Sequence, residues 1–426
     1  MRKFALSIAA LLTASLSLLP QIASADPERL DGVLTLDQAI ARVQRVGFDV
    51  RAARGDAEIA AADARTARAG LLPQIGISAV ALDANEPQLG MPIARQGYGA
   101  ASLTVPLLTP STRYSSLAAA AGARAALINI EASVNDAVYA TVQAYRRAQL
   151  ADAVLDARHL AVRDQQDHLR VTGLRVASGK SPRYTLARDR ASLAVALQNE
   201  EDAASERDQA RNDLVALLDF TVDSNVRTEP LATLAFAEPR DAIVTRALQQ
   251  SPALLAAEQR VSALQATLGA TRGAYLPSTQ LTAQSYNGGS SPYLGHGGGQ
   301  IQLTATLPIV DGGSRSGGVA RARGDLNRVI ALRDQLRVGV QRNVANAYRE
   351  LEAARRNLST AQTAQTDAEE QLRIARDRES AGKGIELEVL DALSVAGNAR
   401  ETVLRSLARY DNAVAAVHHA AGDRSP

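Results

Sequence analysis

Hydrophobic and polar positions along this chain change their spacing in a fixed order, and the whole order occurs twice. A short helical pattern follows Thr35, and the segments 49–71 and 252–274 then keep helical spacing until each reaches a Leu-Pro pair. The residue before a proline is pushed out of the helical region, so both helices are expected to end there. Strand-like alternation follows each pair, and helical patterns without proline then run over 112–177 and 314–380. The pattern predicts a mainly α-helical protein with one β-hairpin in each half.

Individual landmarks indicate that the two halves are a tandem duplication. Tyr145 recurs as Tyr348 and Gly179 recurs as Gly382, both 203 residues later, and the Leu-Pro pairs recur after 204 residues. Landmarks that keep one offset over a hundred residues mean that an entire unit was duplicated. We therefore predict a first repeat over 26–220, a joint with two prolines over 221–239, and a second repeat over 240–426.

The alternating segments predict hairpins over 74–107 and 278–310. In the second hairpin, polar residues alternate with four apolar residues that would share one face: Ile301, Leu303, Ala305 and Leu307. Strands of about ten residues are long enough to cross a bilayer in a tilted barrel. A soluble hairpin with one buried face has the same pattern, and the scarcity of aromatic residues counts against the membrane. An export signal and very long flanking helices favour the membrane interpretation, in which these four side chains face lipid.

Each hairpin is followed by a helix of unusual length. About 65 residues at about 1.5 Å each give a rod of roughly 100 Å, which is typical of a coiled coil. Each rod ends at a Gly-Lys turn, and return helices are predicted over 184–218 and 387–421. A return helix is about half as long as its rod. The helix before each hairpin could stack end to end with the return helix, so that the two together match the length of the rod.

The first 25 residues have the features of a secretory signal peptide. Arg2 and Lys3 precede an apolar stretch over 4–19, and the small residues 23–25 form a cleavage site before Asp26. The chain has no cysteine, which excludes disulfides and thiolate metal sites. Beyond residue 25 the acidic and basic residues are equal in number, so no basic excess favours nucleic-acid binding. We expect an exported protein whose fold depends on packing alone.

No pattern in the chain indicates an enzyme. The segment from Gly173 to Ser181 resembles a phosphate-binding loop, but it has five residues between its glycines where the motif needs four, and it follows a helix. The five histidines do not cluster in the sequence, and His418 and His419 are interpreted as a surface pair at a helix end. We therefore expect no catalytic, cofactor-binding or metal site.

Charged residues single out the turns between the long helices. Lys180 and Lys383 are the only lysines beyond residue 25 and are repeat equivalents. They reflect either a genome that prefers arginine codons or a special place in the fold. Glu388 and Asp391 are three residues apart, so they share a face at the start of the return helix. They either complement the helix dipole or form part of a negatively charged ring around a pore.

A membrane location would require several copies of the chain. Four strands cannot close a barrel, and an open sheet edge is not tolerated in lipid. Several chains must then share one barrel, and the long helices would continue it as a tube.

Five motifs point to a known family. They are LTLDQAI, LLPQIGIS and LTVPLL in the first half, and LPIVDGGSR and GKGIELEVLDAL in the second. The chain resembles the TolC-like outer-membrane efflux proteins over nearly all of its length beyond the signal peptide. The resemblance implies a homotrimer with a twelve-strand barrel in the outer membrane, continued across the periplasm by a barrel of coiled-coil helices. It also implies an exit duct that works with a periplasmic adaptor and an inner-membrane pump, in efflux or type I secretion.

The same resemblance assigns roles to residues at the turns. Glu388 and Asp391 match the acidic ring at the periplasmic aperture, which would favour cations. The adaptor is expected to dock at the two turns, which contain Gly179, Lys180, Gly382 and Lys383. In some family members, residues at three positions help to close the aperture, and this chain has different residues at those positions: Thr185, Glu379 and Gly384.

The alternative hypothesis is a soluble periplasmic coiled-coil adaptor or scaffold. In that case the hairpins would be ordinary soluble modules, and the apolar stripe of the second hairpin would be buried against protein. An arginine at Leu303 separates the two hypotheses, because a positive charge near the bilayer midplane is destabilising.

Overall fold

The computed structural model describes residues 29–83, 95–221, 224, 226–232, 234–287 and 297–423. The predicted signal peptide and the tips of both hairpins lie outside these residues.

The two halves have the same order of elements. The first half contains β1 (Gly32–Leu34), α1 (Leu36–Val46), α2 (Phe48–Ala69), β2 (Gln74–Asp83), β3 (Arg95–Leu108), α3 (Pro110–Ala177) and α4 (Arg183–Leu217). The second contains β4 (Val226–Thr228), α5 (Arg240–Gln250), α6 (Pro252–Gly273), β5 (Ser278–Asn287), β6 (Gly297–Thr306), α7 (Ser314–Ser380) and α8 (Glu386–Ala421). Each half is thus a short helix, a medium helix, a hairpin, a rod and a return helix.

Helix α1 begins where the sequence predicts a cap. The Thr35 hydroxyl accepts a hydrogen bond from the Gln38 backbone N–H at 3.2 Å, and the Gln38 side chain accepts one from the Thr35 N–H at 3.1 Å. This reciprocal pair satisfies two N–H groups that have no partner within the helix. The capped helix buries Ala39, Ile40 and Val43 in the core.

Helices α2 and α4 lie end to end along α3, and α6 and α8 do the same between α3 and α7. At the first junction, where the start of α2 meets the end of α4, Arg42 of the preceding helix α1 donates to the Leu218 carbonyl at 2.7 Å. Arg51 of α2 lies 3.8 Å from Asp219. At the second junction, Gly422 after α8 packs against Ser251 and Pro252 at the start of α6. The expected stacking of short helices beside a rod is therefore present in both repeats.

Small residues allow the helices to approach closely. A Cβ atom on Gly269 would lie 2.6 Å from the Tyr114 ring, and one on Gly273 would lie 2.9 Å from the Ser111 nitrogen. Alanines occupy much of the buried seam, including Ala148 on α3. This packing agrees with a chain that has few aromatic residues and many alanines.

A two-stranded parallel sheet joins the start of the first repeat to the segment between the repeats. In it, β1 pairs with β4 from Gly32 opposite Val226 to Leu34 opposite Thr228. The joint over 221–239 has two prolines and no helical pattern in its sequence, and no strand was predicted in it. Strands of three residues are too short to show a period of two, so this sheet was missed.

Tyr145 fastens this small sheet to the long helix α3. Its side chain is fully buried, and its hydroxyl donates to the Leu34 carbonyl at 2.8 Å and accepts from the Glu229 N–H at 3.1 Å. The repeat equivalent, Tyr348, is only half-buried, and its hydroxyl lies 3.4 Å from the Glu238 carbonyl. The two tyrosines occupy equivalent positions but have unequal structural importance.

We expect Tyr145→Phe to destabilise the protein by about 1–3 kcal/mol, because it leaves the buried Leu34 carbonyl and the part-buried Glu229 N–H without their partner. Tyr348→Phe is the matched control and should change the stability much less. Chemical unfolding of both variants in detergent, followed by circular dichroism, measures the difference. Equal losses would contradict the role assigned to Tyr145.

The two hairpins form one antiparallel sheet in the order β2-β3-β5-β6. The hairpins meet where β3 pairs with β5, for example at Leu103 opposite Ala283. Within the described residues, β2 and β6 each have one edge without a pairing strand. Strand β6 ends at Thr306, so Leu307 and the residues up to Val310 lie beyond it.

The sheet has one mainly apolar face and one mainly polar face. Residues opposite each other on paired strands point to the same side, so the register assigns each residue to a face. The paired rows place these residues on the apolar face: Ile75, Ile77, Leu103, Val105, Leu281, Ala283, Ile301, Leu303 and Ala305. They place these residues on the other face: Gln74, Gly76, Ser102, Thr104, Gln280, Thr282, Gln284, Gln300, Gln302 and Thr304. The apolar side chains are not covered by protein, since Ile77 is 87% exposed and Ile301 is 79% exposed.

A tight turn connects β6 to the long helix α7. Asp311 accepts hydrogen bonds from the Gly313 and Arg315 N–H groups at 3.1 and 2.8 Å, and the Arg315 side chain donates to the Pro308 carbonyl at 2.6 Å. Gly312 and Gly313 have φ angles of 63° and 92°, which favour glycine. These contacts explain four residues of the LPIVDGGSR motif: Asp311, Gly312, Gly313 and Arg315.

Candidate functional site at the helical turns

Both rods end in the same type of helix termination. After α3, the Gly179 N–H donates to the Val176 carbonyl at 3.1 Å and the Lys180 N–H donates to the Arg175 carbonyl at 2.8 Å. After α7, the equivalent bonds run from Gly382 to Glu379 at 3.0 Å and from Lys383 to Arg378 at 2.9 Å. This Schellman arrangement requires a left-handed residue. Gly179 and Gly382 supply it, with φ angles of 71° and 69°.

The two turns lie at the same end of the molecule. The side chains of Arg175 and Glu379 form an ion pair between the last turns of α3 and α7. Lys180 and Lys383 are exposed at the turns. The structure therefore brings together the four turn residues that the sequence analysis selected, and it presents both lysines to solvent.

Glu388 and Asp391 lie on the first turns of α8, just beyond the second Gly-Lys turn. Asp391 is exposed, while Glu388 is half-buried and lies 3.8 Å from the Arg378 guanidinium. Glu388 is therefore partly neutralised within its own helical hairpin. Asp391 has no such neighbour among the ion pairs of the described residues.

Thr185, Glu379 and Gly384, the three positions at which the chain departs from some TolC-like proteins, each make specific contacts within this chain. Glu379 pairs with Arg175, and the Thr185 hydroxyl donates to the Pro182 carbonyl at 2.7 Å. At Gly384, a Cβ atom would lie 3.0 Å from the Glu379 nitrogen, so a larger residue would crowd the turn. Within one chain, two ion pairs join the rods near this end: Arg175 with Glu379, and Arg376 with Asp164.

Behind the turns, His168 on α3, Asp189 on α4 and Glu386 on α8 form a cluster. One nitrogen or oxygen atom from each lies within 4.8 Å of the other two. His168 and Asp189 are buried, with His168 Nε2 3.5 Å from Asp189 Oδ2, and Glu386 is half-buried. The Thr172 hydroxyl donates to Glu386 Oε1 at 3.2 Å. Three titratable groups from three helices thus share one enclosed position.

The surroundings shift two of these groups away from their usual protonation behaviour. Burial raises the pKa of the Glu386 carboxyl, and the nearby Asp189 raises it further. Burial lowers the pKa of the His168 imidazole, although Asp189 acts in the opposite direction. Both shifts disfavour the charged forms, as expected where water is excluded.

The sequence indicated only that the five histidines do not cluster, and this group was not predicted from it. The histidines do not cluster with one another, but His168 does so with two carboxylates. A signal was available: His168 precedes Gly179 by eleven residues and Asp189 follows it by ten, so an antiparallel hairpin places them opposite each other. At the C-terminal end of α8, the adjacent histidines contact different carboxylates. His418 lies 3.0 Å from Asp423, and His419 lies 2.8 Å from Asp136.

Comparison with known proteins gives a consistent assignment. Residues 39–219 and 243–423 match the family described as outer membrane efflux protein. Outer membrane protein OprJ of Pseudomonas aeruginosa is 28% identical over 294 residues, which are 67% of this chain and 59% of OprJ. The chain's match therefore spans less than two thirds of that relative.

Solved structures agree with the architecture. The CmeC outer membrane channel of Campylobacter jejuni has a TM-score of 0.80 at 20% identity, over 91% of this chain and 85% of that chain. The open state of the MtrE outer membrane channel of Neisseria gonorrhoeae has a TM-score of 0.80 at 22% identity, over 96% and 94%. These matches confirm the predicted mainly helical fold with a membrane β-sheet and two repeats.

Proposed function

Because the chain belongs to the outer membrane efflux protein family, we propose that it is the outer-membrane exit duct of a tripartite efflux pump or a type I secretion system. Family membership and the matched channels locate the protein in the outer membrane. The observation that carries the proposal is the sheet of four strands, which has one mainly apolar face, one mainly polar face and, among the described residues, two edges without a pairing strand. No catalytic step is part of this function.

The apolar face supports insertion into lipid. A soluble scaffold would leave side chains such as Ile77 and Ile301, which are about four-fifths exposed, in contact with water. In a barrel the same side chains contact hydrocarbon, while the polar row around Gln284 and Gln300 lines a water-filled interior.

Barrel closure supports a homotrimer. Each open edge needs a partner strand in lipid, so β6 of one copy would pair with β2 of the next. Two copies would give eight strands, whose interior is just filled by side chains. Three copies give twelve strands, which leave room for a passage. A rotation about one threefold axis closes both the barrel and the tube of helices below it.

The helical part has the reach that a duct through the periplasm needs. Helix α3 has 68 residues, and at about 1.5 Å per residue it spans roughly 100 Å. The turns containing Lys180 and Lys383 form the end farthest from the sheet, so they are the surface that a periplasmic adaptor and an inner-membrane pump would meet.

The oligomeric state tests this proposal most directly. Envelope fractions would be separated, and the protein extracted from the outer membrane in mild detergent, with its mass determined by light scattering corrected for detergent. The proposal expects a trimer in the outer-membrane fraction. A dimer, or a soluble periplasmic species, would overturn it.

A second expectation concerns the aperture. We propose that Glu388 and Asp391 of three copies line it and attract cations. Replacing both by alanine should lower the cation selectivity and weaken block by multivalent cations in planar bilayers, because six carboxylates leave the constriction. The exchange Glu388→Asp with Asp391→Glu keeps the charge and should keep the selectivity. Unchanged selectivity in the alanine variant would remove the aperture assignment while leaving the fold.

A further inference from the structure

We propose that His168, Asp189 and Glu386 bind a divalent transition-metal ion, best represented by zinc, and that the ion ties α4 and α8 to α3 behind the turns. From the sequence alone we predicted no metal site. The proposal does not depend on the duct function, because metal binding is measured without transport.

The geometry of the cluster suits such an ion. Zinc binds histidine nitrogen and carboxylate oxygen at about 2.0–2.2 Å in tetrahedral sites, so neighbouring ligand atoms are about 3.3 Å apart. His168 Nε2 and Asp189 Oδ2 lie 3.5 Å apart. The third ligand group lies within 4.8 Å of both, and a small rotation of the half-buried Glu386 side chain would complete the set. Three protein ligands leave one position for water.

The buried atoms of the cluster lack other partners. Asp189 is fully buried, and neither of its carboxylate oxygens has a hydrogen-bond partner within the described residues; the same holds for His168 Nε2. Buried polar atoms normally have partners, so such orphaned atoms require an explanation. A bound cation would engage all three atoms at once. The hydrogen bond from Thr172 to Glu386 would orient that carboxylate, as outer contacts do in metal sites.

Neighbouring arginines do not replace the ion. Arg175 is paired with Glu379, and Arg376 lies 3.0 Å from Asp164. Arg188 is close enough to act on Glu386, but its Nε is buried without a hydrogen-bond partner. Two carboxylates therefore face one arginine, so a protonated His168, a proton shared between the carboxylates or a metal ion must supply further positive charge. Imidazole with carboxylates is a ligand set that suits zinc.

Zinc affinity measures this site directly. The full chain, purified in detergent and stripped with a chelator, would be titrated with zinc in competition with a fluorescent chelator. We expect one ion per chain, and a loss of at least about tenfold in affinity in each of three variants: His168→Gln, Asp189→Asn and Glu386→Gln. His159→Gln is the matched control, because His159 pairs with Glu200 across the same two helices without a third carboxylate. It should leave the affinity unchanged.

Cobalt provides a readout on the wild-type protein, should a variant fail to assemble. Co²⁺ in a four- or five-coordinate site with nitrogen and oxygen ligands absorbs visible light much more strongly than the hydrated ion. The proposal expects this band in the wild type and its loss in His168→Gln. The absence of a stoichiometric site, an affinity that His168→Gln leaves unchanged, or only the weak band of an octahedral hydrated ion would each overturn it.

Discussion

Replacing Leu303 by arginine is expected to abolish stable trimers in the outer membrane. Leu303 is 64% exposed on the apolar face of β6, in register with Leu281 on β5. An arginine at the bilayer midplane of a barrel costs about 2–4 kcal/mol. The cost would apply once in every copy, so a closed barrel of three copies carries it three times. The measurement is the yield of assembled protein extracted from the outer membrane.

The polar face supplies the control for this experiment. Gln302 is the neighbouring residue on β6 and points to the opposite side, towards the proposed water-filled interior, where it is in register with Thr282. Gln302→Arg adds the same charge at nearly the same depth and should still assemble. Wild-type yields of both variants would contradict lipid contact at the Leu303 face and would favour a soluble hairpin.

Replacing Asp411 by alanine is expected to cause the second large loss. Asp411 is fully buried on α8, where it accepts a hydrogen bond from the Leu234 N–H at 3.1 Å and lies 3.8 Å from Arg146. Arg146 is itself buried and donates to Gln149 at 2.8 Å, and Gln149 donates to the Glu229 carbonyl at 2.7 Å. This chain of contacts fastens the segment between the repeats to both α3 and α8.

Removing one partner of a buried ion pair leaves an uncompensated charge, which costs about 3–5 kcal/mol. Asp411→Asn keeps an acceptor for the Leu234 N–H and should cost less. Arg409→Ala is the surface control: Arg409 contacts Glu350 at 2.7 Å, but both side chains are about half exposed, and such pairs contribute about 0–1 kcal/mol. Denaturant unfolding in detergent measures all three. A loss for Asp411→Ala as small as that for Arg409→Ala would contradict the assigned network.

Much of the architecture could be predicted because its signals are local. The period of each helix and strand, the proline that ends a helix and the glycine that permits a left-handed turn depend on residues close together in the chain. The offset between Gly179 and Gly382 identified the duplication, and both glycines have the same φ and the same hydrogen bonds in the structure. The alternation in β6 likewise predicted the apolar face that contains Ile301 and Leu303.

Contacts between distant segments could not be predicted from such local signals. The sheet of β1 and β4 joins residues almost 200 positions apart, and its strands are too short to show a pattern. The unequal burial of Tyr145 and Tyr348 cannot be read from their equivalent positions. Nothing in the local sequence connects Glu386 with Asp189 and His168, which lie against it on two other helices.

The sequence by itself determined the two repeats, the long helices, the turns between them and the two-faced strands, because these follow from spacing and local backbone preference. Only the tertiary structure decided which charges are buried and what surrounds them. Glu388 and Asp391 look alike in sequence, yet Glu388 is turned towards Arg378 and Asp391 is exposed. The physical reason is that burial depends on the packing of several helices at once, and no single segment of the chain carries that information.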